Sequence, residues 1–489
     1  MSLTTSLNTA KAIFRNTSEQ TSVLSTNIAN TENENYVRRS ATVVNTIYGA
    51  TVTSTDRAQQ QALLRQLTEA SSAQVGQKTL LEGLTTMTSS LGGNEYELSP
   101  STYLSNLRKS LETYAASPGQ FTLAASVVSD AEDVVRSLSN ATDVVQRVRR
   151  DSDAAIATQV EKLNKALAEF EVVNDKVVNA TAVGEQDFDA LDRRETLVKE
   201  ISGMIGIKAV VRPNNDMALY TYDGTTLFET IPRTVSFTRT LSYDATVTGN
   251  ALFIDGAQVN PGQGGNTTAQ GSLPALLQLR DEIAPKYQSQ LDEVARALVE
   301  AFRESDPTAV NPDRPGLFTW STAPIPPTVP ASGTVVPGLA GLLRVNSAVV
   351  PASGGNPLLL RDGGINGAAY IRNTTNSASY TTLLNNYINQ MSVDRAFDPA
   401  ADLKSNTNLL QFASDSIGWI EELRSNATAG NENKTALYER SFQAYASETG
   451  VSLDEELSLL LDVEQSYKAA AKLVSTVDEM LAAVIQMAG

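Results

Sequence analysis

Residues 451–489, VSLDEELSLLLDVEQSYKAAAKLVSTVDEMLAAVIQMAG, contain apolar residues that repeat at alternating steps of three and four. That spacing is typical of a long helix that packs lengthwise against another helix. Ser452 followed by Glu455 forms a capping box, which predicts where the helix begins. At about 1.5 Å per residue the helix would be about 50 Å long, so it needs a long partner. The residues of the repeat, called the C-terminal seam, are Leu460, Val463, Tyr467, Ala470, Val474, Val477, Leu481, Val484 and Ala488.

The beginning of the chain predicts that partner. A second repeat with the same alternating steps stops in the run Asn27-Ile28-Ala29-Asn30. Its members, called the N-terminal seam, are Leu3, Leu7, Ala10, Phe14, Thr17, Thr21, Leu24 and Ile28. We therefore expect the two seams to form the surface through which the terminal helices pack on each other and on other subunits.

The composition argues against catalysis. The chain has 489 residues and contains neither histidine nor cysteine. This removes the commonest general base, every thiolate nucleophile and the usual ligands of transition metals. We expect no catalytic residues, no metal site and no cofactor.

The charge argues against two classes of partner. The formal net charge of -17 would repel both nucleic acid and an anionic bilayer. The best basic cluster, Arg147, Arg149 and Arg150, shares its helix with Asp143, Asp151 and Asp153, so we interpret it as a solvated helix face. No apolar run is long enough to span a membrane, and the chain does not start like a cleaved secretory signal. We expect neither nucleic-acid binding nor membrane insertion.

Helical patterns dominate the interior of the chain. Residues 58–91 and 102–116 are predicted helices that end at glycine- and proline-containing turns. Two further apolar stripes, Val127 to Val148 and Ile156 to Val177, predict two helices that bury each other in an antiparallel bundle. A helix over residues 271–302 is predicted to return to that bundle, with one buried face.

Extended segments separate these helices. Residues 36–54 are rich in Val, Thr and Ile and predict a connector or hairpin that Gly49 could turn. Residues 207–265 predict an antiparallel β insertion with turns at Pro213 to Asp216 and at Asp223-Gly224, and with Gly262 to Gly265 as a linker. Eight prolines make residues 305–337 an extended surface segment, and residues 338–380 predict a second small β unit.

The predicted fold class is a multidomain α+β protein. Long terminal helices pair in the manner of a coiled coil, a helical bundle lies in the centre, and antiparallel β units are inserted into it. The expected parts are an N-terminal axial helix and connector (1–57), the first part of the bundle (58–206), a β insertion (207–270), a return helix (271–304), a proline-rich linker with a small outer unit (305–398), the last part of the bundle (399–449) and a C-terminal axial helix (450–489).

Both ends of the chain resemble a known family. Ser25 to Asn30 followed by Tyr36 and Arg38 is similar to the amino-terminal signature of bacterial flagellar axial proteins, a family of rod, hook and hook-associated proteins. Gly450 to Glu456, with Tyr467 and the later Asp478-Glu479-Met480, is similar to their carboxy-terminal signature. Glu34-Asn35 stands where that family usually has Pro-Gly, and Asn35 could replace the glycine in a left-handed conformation.

A third segment narrows the resemblance to hook-associated proteins of the hook–filament junction. It contains Asp192-Arg193-Arg194 and the turn Ser202 to Gly206, and residues 271–302 resemble the same family. We interpret Asp192 to Arg194 as a surface or bundle-end ion network of little energetic weight. The residues that carry the family motifs are Asn27, Ile28, Ala29, Asn30, Tyr36, Arg38, Asp192, Arg193, Gly203 and Gly206.

The resemblance implies a structural subunit that assembles through its terminal helices. Its implied partners are other copies of itself, the hook protein, the next junction protein towards the filament and a flagellar export chaperone. Its implied location is the flagellum outside the cell, reached without a cleaved signal.

Three alternatives remain. The chain could be a hook or distal rod subunit, although residues 191–207 and 271–302 are more helical than a hook protein requires. Asp223 and Asp255 could form the carboxylate dyad of a hydrolase, although carboxylates in turns mostly serve turn geometry. A plain coiled-coil scaffold is disfavoured by the β segments.

Overall fold

A computed structural model describes residues 3–46, 49–320 and 327–488. The chain forms two compact units. The first unit comprises Met1–Ser72, Asn164–Arg233 and Thr435–Gly489, and the second comprises Ala73–Leu163 and Thr234–Lys434.

Helices make up most of the described chain. They are α1 (Leu3–Ala29), α2 (Gln61–Ser89), α3 (Pro100–Ala116), α4 (Phe121–Ala182), α5 (Phe188–Met204), α6 (Ser272–Leu277), α7 (Ala284–Ala301), α8 (Leu339–Leu342), α9 (Leu359–Asp362), α10 (Thr382–Gln390), α11 (Leu409–Thr449) and α12 (Leu453–Ala488). A π-helical stretch, Gln278–Ile283, joins α6 to α7. None of the helices in the described ranges combines the length and the apolar character that a membrane crossing needs.

The strands are short and antiparallel. They are β1 (Arg39–Thr46), β2 (Gly49–Arg57), β3 (Ile207–Val211), β4 (Met217–Thr221), β5 (Thr226–Phe228), β6 (Val235–Ser236), β7 (Phe253–Ile254), β8 (Ala257–Gln258), β9 (Phe318–Trp320), β10 (Leu343–Val345), β11 (Arg395–Ala396) and β12 (Asn406–Thr407). Two three-stranded sheets have the orders β3-β4-β5 and β6-β7-β8, and the other strands form two-stranded pairs. The predicted combination of helices with inserted antiparallel sheets is confirmed.

In the first unit, α1 and α12 pack along each other in opposite directions. The ring centroids of Phe14 and Tyr467 are 5.0 Å apart. Asn27, 13 residues after Phe14, bonds to Glu456, which lies 11 residues before Tyr467. The predicted pairing of the two terminal helices is confirmed, and the helix begins as predicted, with the Glu455 amide 3.5 Å from the Ser452 hydroxyl.

The two apolar stripes of the predicted bundle belong to one helix. α4 runs for 62 residues without a break, so the prediction that Val127 to Val148 and Ile156 to Val177 pack against each other as antiparallel helices is wrong. Residues 149–155 between the stripes contain neither Gly nor Pro, so nothing there ends the helix. The first stripe, Val127 to Val148, belongs to the hydrophobic core of the second unit.

The first unit also contains the predicted hairpin. β1 pairs antiparallel with β2, and the register places Arg39 opposite Arg57 at the base of the hairpin. Gly49, which was expected to turn the hairpin, is the first residue of β2, and residues 47–48 lie outside the described residues. The predicted turn between β3 and β4 is confirmed, with Asn214 and Asn215 at φ values of 59° and 57°.

The second unit is organised around α7. The sequence predicts one buried face, but α7 is buried on nearly every side, including Gln290, Glu293 and Arg296. Glu293 and Arg296 bond to each other at 2.7 Å with both side chains fully buried. The periodicity of apolar residues predicts burial of the apolar face alone. It does not predict that the other faces are buried, because the polar side chains there are buried as pairs.

The two glycine-rich segments compare differently with their predictions. Gly262 to Gly265 lies between β8 and α6 outside any helix or strand, as a linker would, and Gln77 donates a hydrogen bond to the Gly265 carbonyl at 2.8 Å. The only strand described between residues 338 and 380 is β10, and most of that segment consists of short helices and turns whose apolar residues join the main core. Part of the proline-rich segment, residues 321–326, lies outside the described chain.

Arg149 also differs from its prediction as part of a solvated face. It is 3% exposed, and its guanidinium donates to the carbonyls of Asp244 and Arg280 at 2.8 and 3.3 Å. Arg147 and Arg150 are exposed as expected. Burial lowers the pKa of Arg149 from its ordinary value.

Candidate assembly site

Asn27, near the end of α1, is the centre of a buried polar network in the first unit. Its side chain is fully buried and uses every hydrogen-bonding position it has. The amide nitrogen donates to the Arg39 carbonyl at 2.8 Å and to Glu456 Oε2 at 2.9 Å. The amide oxygen accepts from the Tyr36 hydroxyl at 2.7 Å and from the Arg39 amide at 3.2 Å. One side chain therefore joins α1, the start of β1 and α12.

Glu456 provides the contact from α12. It lies in the acidic first turn, where the helix dipole favours a carboxylate, yet its side chain is fully buried. Its second oxygen accepts from Arg38 Nε at 2.6 Å. The carboxylate is thus both paired with a cation and hydrogen-bonded to an amide, as a buried charge requires. We call Asn27, Tyr36, Arg38 and Glu456 the Asn27–Glu456 lock.

A second network ties the hairpin base to α5. Arg39 and Arg57, opposite each other on β1 and β2, donate to the two oxygens of Asp192 at 3.3 and 2.7 Å. Arg57 also donates to Glu195 at 2.7 Å, and Glu195 accepts from the Tyr445 hydroxyl at 2.7 Å. The network therefore joins the hairpin, α5 and α11.

The two carboxylates of this network differ in their protonation behaviour. Burial raises the pKa of Asp192, and the two arginines offset only part of that effect. Burial also acts to raise the pKa of Glu195, but its bonds to Arg57 and Tyr445 outweigh burial and lower it. Burial raises the pKa of Tyr36, so its hydroxyl stays a donor to Asn27 throughout the physiological pH range.

The predicted ion network around Asp192 is therefore only partly a surface feature. Arg193 is on the surface and forms two bonds to Glu169 at 2.7 and 2.8 Å. Asp192 is buried, and Arg194 is 3% exposed and bonds to Asn174 and Asn215 at 3.0 and 2.9 Å. Burial lowers the pKa of Arg194 to about 10. The surface part of the expectation is therefore wrong for Asp192 and Arg194, which are both buried.

The other motif residues have local structural roles. Ile28 is half-buried and Ala29 is exposed. Asn30 donates to the Thr26 carbonyl at 2.9 Å. Gly203 still lies within α5, where open space surrounds it, and Gly206 is buried just before β3.

Asn35 does not take the left-handed conformation expected of a glycine replacement, since its φ is not positive. Instead the side chain of Asn33 accepts from the Asn35 amide at 3.1 Å. This side-chain bond closes the turn in place of a Pro-Gly pair.

The residues of the two seams are buried to different extents. In the N-terminal seam Ala10, Thr17 and Leu24 are buried, Thr21 is exposed, and the half-buried members are Leu3, Leu7, Phe14 and Ile28. In the C-terminal seam Ala470 and Val477 are buried, and the half-buried members are Leu460, Val463 and Val474. Tyr467, Leu481 and Val484 are 53%, 41% and 49% exposed, and the Ala488 side chain lies outside the described residues. That these residues pack between subunits stays a prediction.

The two carboxylates of the hydrolase alternative are turn residues in different units. Asp223 accepts from the Thr221 hydroxyl and from the Thr225 amide, and the first of these bonds contributes most to lowering its pKa. Asp255 has a φ of 49° in the turn between β7 and β8. A lowered pKa is the opposite of what a general acid needs.

Sequence reasoning missed Arg39, Arg57, Glu195, Tyr445 and the burial of Glu456. Their contacts join residues more than 100 positions apart, which no local pattern reveals. One available signal was the occurrence of Arg39 and Arg57 at the two ends of an otherwise uncharged β-rich stretch, broken only by Asp56.

Comparison with known families gives two matches. Residues 84–311 match the family described as "Flagellar hook-associated protein FlgK helical domain". Residues 442–487 match the family described as "Flagellar basal body rod FlgEFG protein C-terminal". The first match covers the region of the interior helices, and the second covers most of α12.

Curated relatives carry the same description. The chain is 23% identical over 387 residues to flagellar hook-associated protein 1 of Bacillus subtilis, covering 74% of this chain and 71% of the relative. It is 23% identical over 264 residues to the protein of that name in Salmonella typhimurium, covering 52% of this chain and 46% of the relative. The chain therefore spans about half the length of the Salmonella relative. Among solved structures, the flagellar hook junction protein FlgK from Burkholderia pseudomallei aligns with a TM-score of 0.41 and 18% identity, covering 53% of this chain and 47% of that one.

Proposed function

We propose that the chain is a flagellar hook-associated protein, a structural subunit that joins the hook of a bacterial flagellum to its filament. The observation that carries the proposal is the pairing of α1 with α12. The Asn27–Glu456 lock joins residues that are 429 positions apart in the chain. The helix pair that it connects leaves apolar side chains exposed. Such a pair suits assembly with other copies.

The proposal includes the subunit's partners and location. The partners are further copies of the chain, the hook protein, the next junction protein towards the filament and an export chaperone. The location is the flagellum outside the cell, reached without removal of a signal. Support comes from the family and from the exposed part of the C-terminal seam, which needs partners from outside the chain.

A strain that lacks this chain tests the proposal. Electron microscopy of its cells should show hooks without filaments, and returning the chain should restore filaments. Cells that grow normal filaments without it would refute the proposal. Cells without hooks would favour the alternative of a hook or distal rod subunit.

The family is structural, and we propose that the chain has no enzymatic activity. The turn geometry of Asp223 and Asp255 supports this view against a hydrolase. Purified protein incubated with peptidoglycan should release no soluble fragments. Release that is abolished by Asp223→Asn would contradict the proposal.

Export without removal of a signal has its own test. Edman sequencing of the chain recovered from sheared flagella and from the cytoplasm should give the same first residue. A different first residue in the flagellar fraction would show that a leader had been removed.

A further inference from the structure

The last described turns of α12 are apolar on more than one side. Every side chain from Asp478 to Met487 is exposed, and the segment from Met480 to Met487, called the apolar tail, carries no charge. Its larger side chains are 41–80% exposed, with Ile485 at 71% and Met487 at 80%. A helix that is apolar around its circumference is normally buried on several sides. A single partner helix would leave the far side of the tail in water.

A groove in the same unit has complementary properties. Near the lock, α1, β1 and α12 leave a cavity of about 130 Å³. Its lining is half aliphatic (Val23, Leu24, Ala41, Leu459 and Val463) and half polar (Gln20, Arg38, Arg39, Ser40 and Glu456). A cavity of about 150 Å³ holds a benzene-sized apolar group, so this groove can hold one large aliphatic side chain. All three charged residues of the lining are already paired, Arg38 with Glu456 and Arg39 with Asp189 and Asp192. An uncharged side chain can therefore enter without leaving any of these charges unpaired.

We propose that the apolar tail of one copy packs into this groove of a second copy, with the Met487 side chain filling the cavity. The inference rests on the proposed function, because it names the contact by which that subunit associates with itself. Methionine is suited to an irregular cavity, since it is unbranched and flexible.

Charge favours a second copy as the occupant. Copies with a net charge of -17 repel one another, so they can associate closely only through surfaces that carry little net charge. The tail is uncharged, and each charged residue that lines the groove is already in an ion pair within its own chain. The groove is also continuous with the α1–α12 packing surface, since Leu24 and Val463 belong to the two seams.

The geometry of this contact suits an open assembly. Tail and groove are different surfaces, so each copy offers one of each to its neighbours. Such a head-to-tail contact forms rings or helical arrays rather than closed two-fold dimers.

Single-cysteine variants test the contact directly, because the chain has no native cysteine. Val23→Cys and Met487→Cys would be produced together in a strain lacking the wild-type chain, and isolated flagella would be oxidised. We expect disulfide-linked dimers that contain one chain of each variant. Dimers of Met487→Cys alone, or no dimers in flagella that bear filaments, would overturn the inference.

Charge placed on the tail gives a second measurement. Met487→Asp should reduce the number of filaments per cell at least tenfold, while the amount of the chain in the culture fluid stays at the wild-type level or rises. Val183→Asp is the matched control, because Val183 is 75% exposed and lies outside both tail and groove. Equal filament numbers for the two variants would reject the tail-to-groove contact and leave the proposed function intact. Failure of the wild-type chain itself to restore filaments would reject the proposed function.

Discussion

Asp292, on α7 in the second unit, is a buried carboxyl held by backbone amides. Its oxygens accept from the amides of Gly338 and Ala340, each at 2.9 Å. Burial raises its pKa to about 6, and the hydrogen bonds offset only part of this effect. The side chain thus fixes the start of α8 at the cost of making ionisation unfavourable.

This pKa predicts a pH dependence of stability. The pKa in the folded chain is above the value of about 3.9 in the unfolded chain, so between about pH 4 and pH 6 the folded state binds more protons. The free energy of unfolding contributed by Asp292 should therefore fall as pH rises through this range, by roughly 3 kcal/mol in total. Asp292→Asn removes this titration.

Urea unfolding of the wild type and of Asp292→Asn at pH 4, 5, 6 and 7 measures the effect. The difference in unfolding free energy, wild type minus variant, should decrease towards pH 7. A difference that stays constant would show that Asp292 does not titrate in this range.

Asn27→Ala should destabilise the first unit, because it strands the Tyr36 hydroxyl, the Arg39 amide and one oxygen of Glu456. Each buried group that loses its partner costs about 1 to 3 kcal/mol. Hydrogen exchange at the Arg39 amide should become much faster. Asn8→Ala, at an exposed position of α1, is the control and should not lower stability by more than about 0.5 kcal/mol.

Single residues also show which kinds of burial cannot be predicted from the sequence. The periodicity of apolar residues identified the buried positions of α7 such as Leu291 and Leu298, because burial of apolar side chains is a local property of a helix face. It could not identify Arg149 or Glu456 as buried, because their partners Arg280 and Asn27 are 131 and 429 positions away. Burial of a charge depends on such partners, and a single sequence does not show them.

At the scale of elements, α12 combines a covered stretch around Ala470 to Val477 with the exposed tail. Val474 is half-buried in the covered stretch. We expect Val474→Asp to abolish filament growth, since the substitution loses up to about 1.5 to 3 kcal/mol of apolar burial and adds the cost of desolvating a carboxylate. Val474→Leu should still assemble.

The second unit should not respond to Val474→Asp. The two tryptophans, Trp320 and Trp419, both belong to that unit, so their fluorescence reports its unfolding alone. Its melting temperature should equal that of the wild type. Filaments in the Val474→Asp strain, or early melting seen by tryptophan, would contradict this view of α12.

Whether a segment forms a helix or a strand could be predicted from local patterns, whereas the number of helices could not. Capping by Ser452, the turn at Asn214-Asn215 and the helical spacing in α12 are local signals, and each is present in the structure. No such signal supported the predicted division of α4 into two helices. Between Val148 and Ile156 the apolar stripe only moves to another face of the same helix. A helix can change the face it buries without ending.

At the scale of the whole molecule, the charge of -17 should make self-association depend on salt. Ions shorten the range of repulsion from about 10 Å at 0.1 M to about 3 Å at 1 M salt. Sedimentation velocity of the purified chain should therefore show larger assemblies as sodium chloride increases. Dissociation by salt would mean that attractive ion pairs between copies dominate.

The division of the molecule into two units could not be derived from the chain order. Each unit is assembled from separated segments, and the predicted β insertion contributes one sheet to each. Composition changes along a chain mark where elements change, but they do not mark which distant segments share a core. The pairing of the two ends was predictable because both carried seams with the same spacing.

The Asn27–Glu456 lock cannot form until the ribosome has synthesised Glu456. At about 5 to 20 residues per second, a ribosome needs between about 20 and 90 s to make the 429 residues that separate Asn27 from Glu456. Throughout that interval the apolar side of α1 exists without the helix that covers it. Slower translation of the middle of the gene would lengthen this interval. It would also increase the chance that α1 of one nascent chain contacts α1 of another.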